Sequence, residues 1–342
     1  MVHAVVRSFR LQQDFLLKLK SYRVEHAVEI AADAFEFVTS NYNYEVSNVI
    51  SAGDFVRFFV GEELAMEGII DDIDIEYTND SNDIRLTGRD VMSRLLDNDA
   101  NPNTYNKLGL SDYLAIVMKP YGIKYHSLDN TKFDKITVSP GENDYSVIER
   151  LCKERNLVPL YDVNSQTLWC TKPRAETTGI VYTFSNDYDV FPTAFKIKDC
   201  QISISNDIRH EVIVYGGDYE ENKNIKGSYK DPRLSVTKRR ILNESSIETN
   251  SAAENRAKEE FYSLNKNALT IEISTITLKP VFVNMCARVY IKKIGFDGYL
   301  LIDSVRYTKS ITAGSITNIT LKLMPGQTVN FKNNVIPTLP VL

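Results

Sequence analysis

The chain has 342 residues, 43% of them hydrophobic and 25% charged, a composition that excludes a disordered polypeptide or a disulfide-stapled miniprotein and leaves room for two or three domain cores. Forty Lys and Arg against forty-five Asp and Glu give a formal charge of -5, so no net positive field exists to wrap a nucleic-acid backbone. Arg7, Arg10, Gln12, Gln13, Asp14 and Lys18 interrupt the opening apolar stretches, so the start lacks the apolar region of a signal peptide, and no run approaches the ~18 apolar residues of a membrane span. Cys152, Cys170, Cys200 and Cys286 form no CxxC pair, which fits free thiols in a reducing cytoplasm.

In chain order, the alternation of apolar and polar residues predicts strands at 54–60, 66–77 and 83–87. The 66–77 segment is the clearest. Its side chains fall into a mostly apolar row (Ile69, Asp71, Ile73, Ile75, Tyr77) and a mostly anionic one (Ile70, Asp72, Asp74, Glu76), as on a half-buried strand. The middle of the chain changes character. Residues 111–118 predict a helix capped by Ser111 and ended before Pro120, and 144–155 predict a second with Tyr145, Ile148, Leu151 and Cys152 along one stripe. Strands follow at 134–138, 157–162 and 166–171, the last two joined as a hairpin through Asn164 and Ser165. Further strands are expected at 208–215, 269–276, 281–293, 298–308 and 315–323, with a helix at 250–264.

An internal repeat joins the two β-rich ends. VRFFV (56–60), GIIDDIDIEY (68–77) and NDIRLTG (82–88) are answered by ARVYI (287–291), YLLIDSVRY (299–307) and TNITLKL (317–323), and the interval from Arg57 to Asp72 equals that from Arg288 to Asp303. The fold expected is therefore mainly β with a smaller α/β part: a first small β-barrel domain at 1–98, an inserted α/β domain at 99–190, and a second similar barrel at 191–342.

These residues resemble the baseplate-hub family of phage tails, also called the late control protein D family. The resemblance rests on DFVRFFVGEELAMEGIIDDIDIEY, then DIRLTGRDVMSRLLDND with a strand ending at Gly88 before a short helix. It continues through LGLSDYLAIVMKPYGI, VSPGENDYSVIERLCKERNLVPLYDVNSQTLWCTKP and, near the end, AENRAKEEFYSLNKNALTIEISTITLKPVFVNMCARVYI with GYLLIDSVRY and TNITLKL. It runs in order over about 33–325. It implies a homotrimer whose two barrels per subunit make a pseudo-sixfold ring, adapting the sixfold tail tube above to a threefold central spike below, with surrounding baseplate proteins as further partners. The compact form is most similar to hubs from contractile tails of Gram-positive phages, defective prophages and phage-tail-like bacteriocins. The ending MPGQTVNFKNNVIPTLPVL carries no added domain, so a separate spike protein is expected, in a particle assembled in the bacterial cytoplasm.

Reactive chemistry is sparse. Asp72, Asp74 and Glu76 could bind a divalent cation or supply an acid/base pair to a cell-wall glycan hydrolase, the alternative function. The bland reading of the same row is a solvated or channel-facing strand on which like charge repels passing DNA, since no His or Arg appears in register to complete a site. His3, His26, His126 and His210 lack HxH or HExxH spacing. Cys152 and Cys170 sit where a thiol acts as a small buried hydrophobe. Gly216-Gly217 reads as a strand-ending turn. Lys238, Arg239 and Arg240, the densest basic run, fall in a polar segment, 218–250, read as a solvated loop or a contact to an acidic partner. A single-strand-binding barrel is a third reading that the acidic balance opposes. Catalytic residues, metal ligands and cofactors are expected to be none, and DNA at most passes through.

Overall fold

The computed structural model describes residues 2–41, 46–173, 182–205, 207–217, 225–232, 238–244, 247, 249–310, 314–325 and 327; the closing residues 328–342, which bear on the absence of an added domain, lie outside them. Strand dominates and helices are few. The chain forms two compact units: Met1–Lys172 with Ser274–Val283 and Ser304–Ile319, and Pro173–Ile273 with Asn284–Asp303 and Thr320–Leu342.

The first unit opens with β1 (Val2–Ser8), β2 (Gln13–Leu17), β3 (Leu19–Ala27), β4 (Ala34–Ser40), β5 (Phe55–Val60), β6 (Glu63–Tyr77) and β7 (Asn82–Asp90). These pair in the order β2-β1-β5-β6-β7-β4-β3, each contact antiparallel, and residues 304–309 then pair with β3. Period-two burial explains the sheet: Val56, Phe58 and Val60, Phe35 and Phe37, and Ile84 and Leu86 all turn to one core. Inside it Phe58 stacks on Phe37 at 5.7 Å and meets Tyr22 edge-on at 5.2 Å. The barrel expected here does not close: among the described residues β2 ends the ladder, bonded to β1 alone.

The chain continues as α1 (Ser93–Asp97), β8 (Asn103–Gly109), α2 (Leu110–Met118), β9 (Lys124–Ser127), β10 (Lys132–Val138), α3 (Asp144–Glu154), β11 (Val158–Asp162) and β12 (Thr167–Thr171). Three helices and two small sheets, β10-β8 and β11-β12-β9, share a core of their own around Leu95, Leu114, Ile148, Leu151 and Leu168. The helix α3 stripe holds as expected, with Tyr145, Ile148, Leu151 and Cys152 buried. Its start is fixed by Asn143, whose side chain accepts the Ser146 N–H at 2.8 Å. The expected Ser111 cap is corrected: α2 begins at Leu110 after Gly109, which has extended backbone, so Ser111 lies inside the first turn and caps nothing. The β11–β12 hairpin is present in the register expected of a turn centred on Asn164 and Ser165, with Asp162 opposite Thr167 and Gln166 in the loop at φ 50°.

The second unit contains β13 (Tyr182–Ser185), β14 (Phe195–Lys196), β15 (Asp199–Ile204), β16 (Glu211–Gly216), β17 (Ile225–Lys230), β18 (Arg239–Glu244), α4 (Asn250–Asn265), β19 (Leu269–Ile276), β20 (Cys286–Ile291), β21 (Phe296–Ser310) and β22 (Gly314–Lys322), the last strands contributing their ends to the first unit. Sheet β17-β16-β18 is covered by α4, capped by Thr249, whose hydroxyl accepts the Ala252 N–H at 3.1 Å. Its core is Val212, Val214, Ala253, Ala257 and Phe261. Gly227 lets the helix approach: a Cβ there would sit 2.1 Å from the Glu254 nitrogen. The strand expected at 281–293 is shorter, since Lys292–Ile294 wind into a 3-10 turn ended by Gly295 at φ 65°.

Candidate functional site

The carboxylate row singled out in the sequence lies on the outer half of β6, and the structure changes its setting. The β6–β7 register shifts between Ile70 and Asp72. Such a bulge adds one residue and exchanges the faces beyond it. Before it, Met66 and Ile70 are buried, members of the row that the alternation would turn outward. Beyond it Ile75 and Tyr77, assigned to the core row, are 57% and 75% exposed. This corrects the expected half-buried face. The bulge turns Ile73 and Ile75 to the side of Ile70, opposite Leu86 and Ile84, and their exposure comes from the end of β5, whose pairing with β6 stops at Phe55 opposite Ile69, so that among the described residues Asp72–Tyr77 bond to β7 on one side only.

Asp72, Asp74 and Glu76 stand exposed along this half-paired strand. The expectation that no Arg is in register is also corrected: Asp74 lies opposite Arg85, whose guanidinium donates to Glu36 at 2.7 Å. Glu76 lies opposite Asp83, and Asp83 pairs with Lys20. Asp71 turns the other way and accepts from Arg89 at 2.7 Å, while Arg89 also reaches Asp97 at 2.8 Å. The hydrogen bonds that Arg89 donates to those two carboxylates, Asp71 first, push its guanidinium pKa further up. The row is thus an open edge whose nearest cations bond to carboxylates outside it, and among the described residues no group of three or more His, Cys, Asp and Glu side chains could hold a metal ion.

Asp303, the repeat partner of Asp72, sits differently. It is 8% exposed and bonded to Lys322 at 2.7 Å, with Lys266 at 3.7 Å. The repeat itself is visible in the strands: β5, β6 and β7 have 6, 15 and 9 residues, and β20, β21 and β22 have 6, 15 and 9.

The basic run is not a loop. Lys238 precedes β18, and Arg239 and Arg240 begin it, pairing in parallel with Glu211 and Val212 of β16. All three are exposed, with Lys238 3.6 Å from Asp207 and Arg239 3.7 Å from Glu211. The segment becomes a strand because Leu242 joins the core shared by β16 and α4. The four histidines stay apart: His3 stacks on Phe59, His126 packs at a tilt against Trp169, His210 meets the Lys238 carbonyl, and His26 contacts Asp33 at 2.5 Å.

Sequence reasoning missed one titratable group. Asp90, at the end of β7, is 4% exposed; its Oδ1 accepts the Met92 N–H at 2.9 Å and its own N–H bonds the Asp33 carbonyl at 2.8 Å. Burial, then the nearby Asp33 charge, pushes its carboxyl well above the usual carboxylate range. No local signal marks it, because Asp33 is far away in sequence.

Residues 16–90 match the family model described as the N-terminal domain of Mu phage baseplate assembly protein GpP-like. A comparison with the curated proteins finds no match. Among solved structures, a tail protein from Neisseria meningitidis MC58 is similar over 94% of this chain and 96% of its own, at 18% identity and a TM-score of 0.77. The 43 kDa tail protein of prophage MuSo2 from Shewanella oneidensis is similar over 95% and 99%, at 18% identity and 0.76. An Escherichia coli component of the type VI secretion system, described as structurally similar to T4 tail proteins gp27 and gp5, is similar over 94% and 77%, at 7% identity and 0.58. The chain therefore has the mainly β fold of phage tail proteins.

Proposed function

We propose that this chain is a structural hub of a contractile phage tail or phage-tail-like bacteriocin, a homotrimer that adapts a sixfold tube above to a threefold spike below around a central passage. The observation that carries the reading is the doubled meander: three copies of two like units present six similar faces while remaining a closed threefold assembly. The likeness to tail proteins over nearly the whole length and the baseplate match at 16–90 support it.

The reading keeps the division into 1–98, 99–190 and 191–342, supported by the separate core of the helices and small sheets. Function here is geometric, without catalysis or cofactor. Asp72, Asp74 and Glu76 face the passage or a neighbouring subunit, and Lys238, Arg239 and Arg240 face an acidic partner in the baseplate. The protein then resides in the tail after assembly in the bacterial cytoplasm. No observation favours the glycan-hydrolase reading, since the three carboxylates lie along an exposed edge. Size-exclusion light scattering, alone and with the candidate spike protein, tests the proposal. A mass of about 117 kDa, three times the 38.9 kDa chain, is expected; a monomer in both conditions overturns it.

A further inference from the structure

The two runs of strands that carry the internal repeat share one order. The first runs β3-β4-β7-β6-β5-β1-β2 and the second β15-β19-β22-β21-β20-β13-β14, so β21 answers β6 and β15 answers β3. In each run the long strand reaches past its shorter neighbour: β5 stops opposite Ile69 of β6, and β20 stops opposite Leu301 of β21. What lies beside the remaining outer half differs. In β21 it is covered, since residues 304–309 pair antiparallel with β3, Val305 opposite His26 and Tyr307 opposite Val24, and Val24, Val305 and Tyr307 are buried. In β6 the outer half bonds, among the described residues, to β7 alone, and Ile75 and Tyr77 stand exposed. The strand that would cover it by the same rule is β15, which has an edge to give: among the described residues it pairs with β19 alone.

The side chains of the two edges match. Along β15 an apolar row, Cys200, Ile202 and Ile204, alternates with the polar Gln201 and Ser203, and Cys200 and Ile204 are exposed. Along β6 the apolar row Ile73, Ile75 and Tyr77 alternates with Asp72, Asp74 and Glu76. Antiparallel pairing with Ile75 opposite Ile202 sets Ile73 against Ile204 and Tyr77 against Cys200, all on one face. On the other face Asp74 meets Ser203 and Glu76 meets Gln201, a hydroxyl and an amide that can donate to carboxylates. Two β6 edges meeting each other would instead bring carboxylates together.

We propose that β15 of one copy adds to the outer half of β6 of a second copy, making between copies the junction that β3 makes with residues 304–309 inside each one. The contact rests on the homotrimer proposed above and says how its copies meet. It is heterologous, one edge meeting a different edge, so it closes a ring only at a fixed number of copies. Main-chain hydrogen bonds carry the pairing, and the apolar row is the part that leaves water. Truncating Ile75 therefore weakens association between copies and leaves the fold of each copy intact.

Tyr77→Cys tests the contact, because it places a thiol opposite the native Cys200 of the next copy, within reach of a disulfide, while Cys152, Cys170 and Cys286 are buried. The full-length variant, alone and with the candidate spike protein, is sized by light scattering, oxidised with copper phenanthroline and run on denaturing gels without reductant, and the joined peptides are identified by mass spectrometry. The expected result is covalent species of two and three chains and none larger, joined through positions 77 and 200. Glu76→Cys, one residue away on the opposite face, should give at most about a tenth of that yield, and Tyr77→Cys combined with Cys200→Ser should give none. A link between positions 77 and 200 of the same chain, a link between two positions 77, an equal yield from Glu76→Cys, or a ladder continuing beyond three chains would each overturn the proposal. A trimer by mass without the 77–200 link overturns the pairing and leaves the hub reading standing, whereas a monomer in both conditions overturns both.

Discussion

Asp90 shows what a buried carboxyl does when its partner is another acid. Its raised pKa means that the fold favours the protonated form, so its stabilising contribution is complete below the unfolded value of about 3.9 and is lost as pH rises toward the folded value. Asp90→Asn keeps an oxygen for the Met92 N–H and replaces the ionisable group by one that can donate toward Asp33. The variant should be more stable than the parent at pH 8, by on the order of 1 kcal/mol, with the difference shrinking toward pH 4. Urea unfolding at the two pH values checks this, and a constant difference would sink it. In sequence, the Asp of GRDVM looks like any solvated turn residue; its burial depends on a loop more than fifty positions earlier. Asp72 and Asp303 teach the same point, since residues matched by a repeat end in opposite environments, one on an open edge and the other between two lysines.

The long strand β6 explains why alternation located elements well and faces less well. Period two identifies a strand anywhere in 66–77, but a single added residue at the bulge exchanges the two rows, and nothing in MEGIIDDIDIEY marks where it occurs. Two substitutions on one face separate its paired half from its unpaired half. Ile70→Ala, at 1% exposure, should cost about 2–4 kcal/mol, whereas Ile75→Ala, past the end of β5, should stay within about 0.5 kcal/mol; a small cost at Ile70 with a large one at Ile75 in chemical denaturation would restore the unbulged alternation. Gly88 belongs to the same element. The resemblance placed the strand's end there, but β7 runs on to Asp90, since Arg89 pairs with Ala34 and Ile69 and Asp90 with Gly68; the glycine is where strands and ring crowd together, as a Cβ would meet the Ile69 carbonyl oxygen at 2.0 Å and the Phe35 ring at 2.5 Å. Gly88→Ala should therefore destabilise by more than about 2 kcal/mol, since backbone and a packed ring must both move. The helices were easier to read, with an apolar stripe and a side-chain cap within a dozen residues of α3, whereas short strands such as β8 and β14 carry no such local mark.

Across the whole molecule, the repeat was legible because strand lengths are kept in both copies, and length survives substitutions that erase the match of individual residues. What the sequence could not reveal is that the first meander ends in a half-paired edge. An exposed strand with Ile75 and Tyr77 on one side is a template for unwanted pairing, and edge charges are a common protection. Asp72, Asp74 and Glu76 occupy alternate positions of that edge, so two such edges approaching each other would bring six carboxylates together at close range. Neutralising them as Asp72→Asn, Asp74→Asn and Glu76→Gln should leave the melting temperature nearly unchanged, because the side chains are exposed, yet promote association beyond the parent's mass at equal concentration. In the parent, added salt should have a weaker effect in the same direction, since it screens the same repulsion. Light scattering against salt concentration reads both. A triple variant that matches the parent at every concentration would show that the row does not guard the edge, leaving its purpose to the passage or a partner surface.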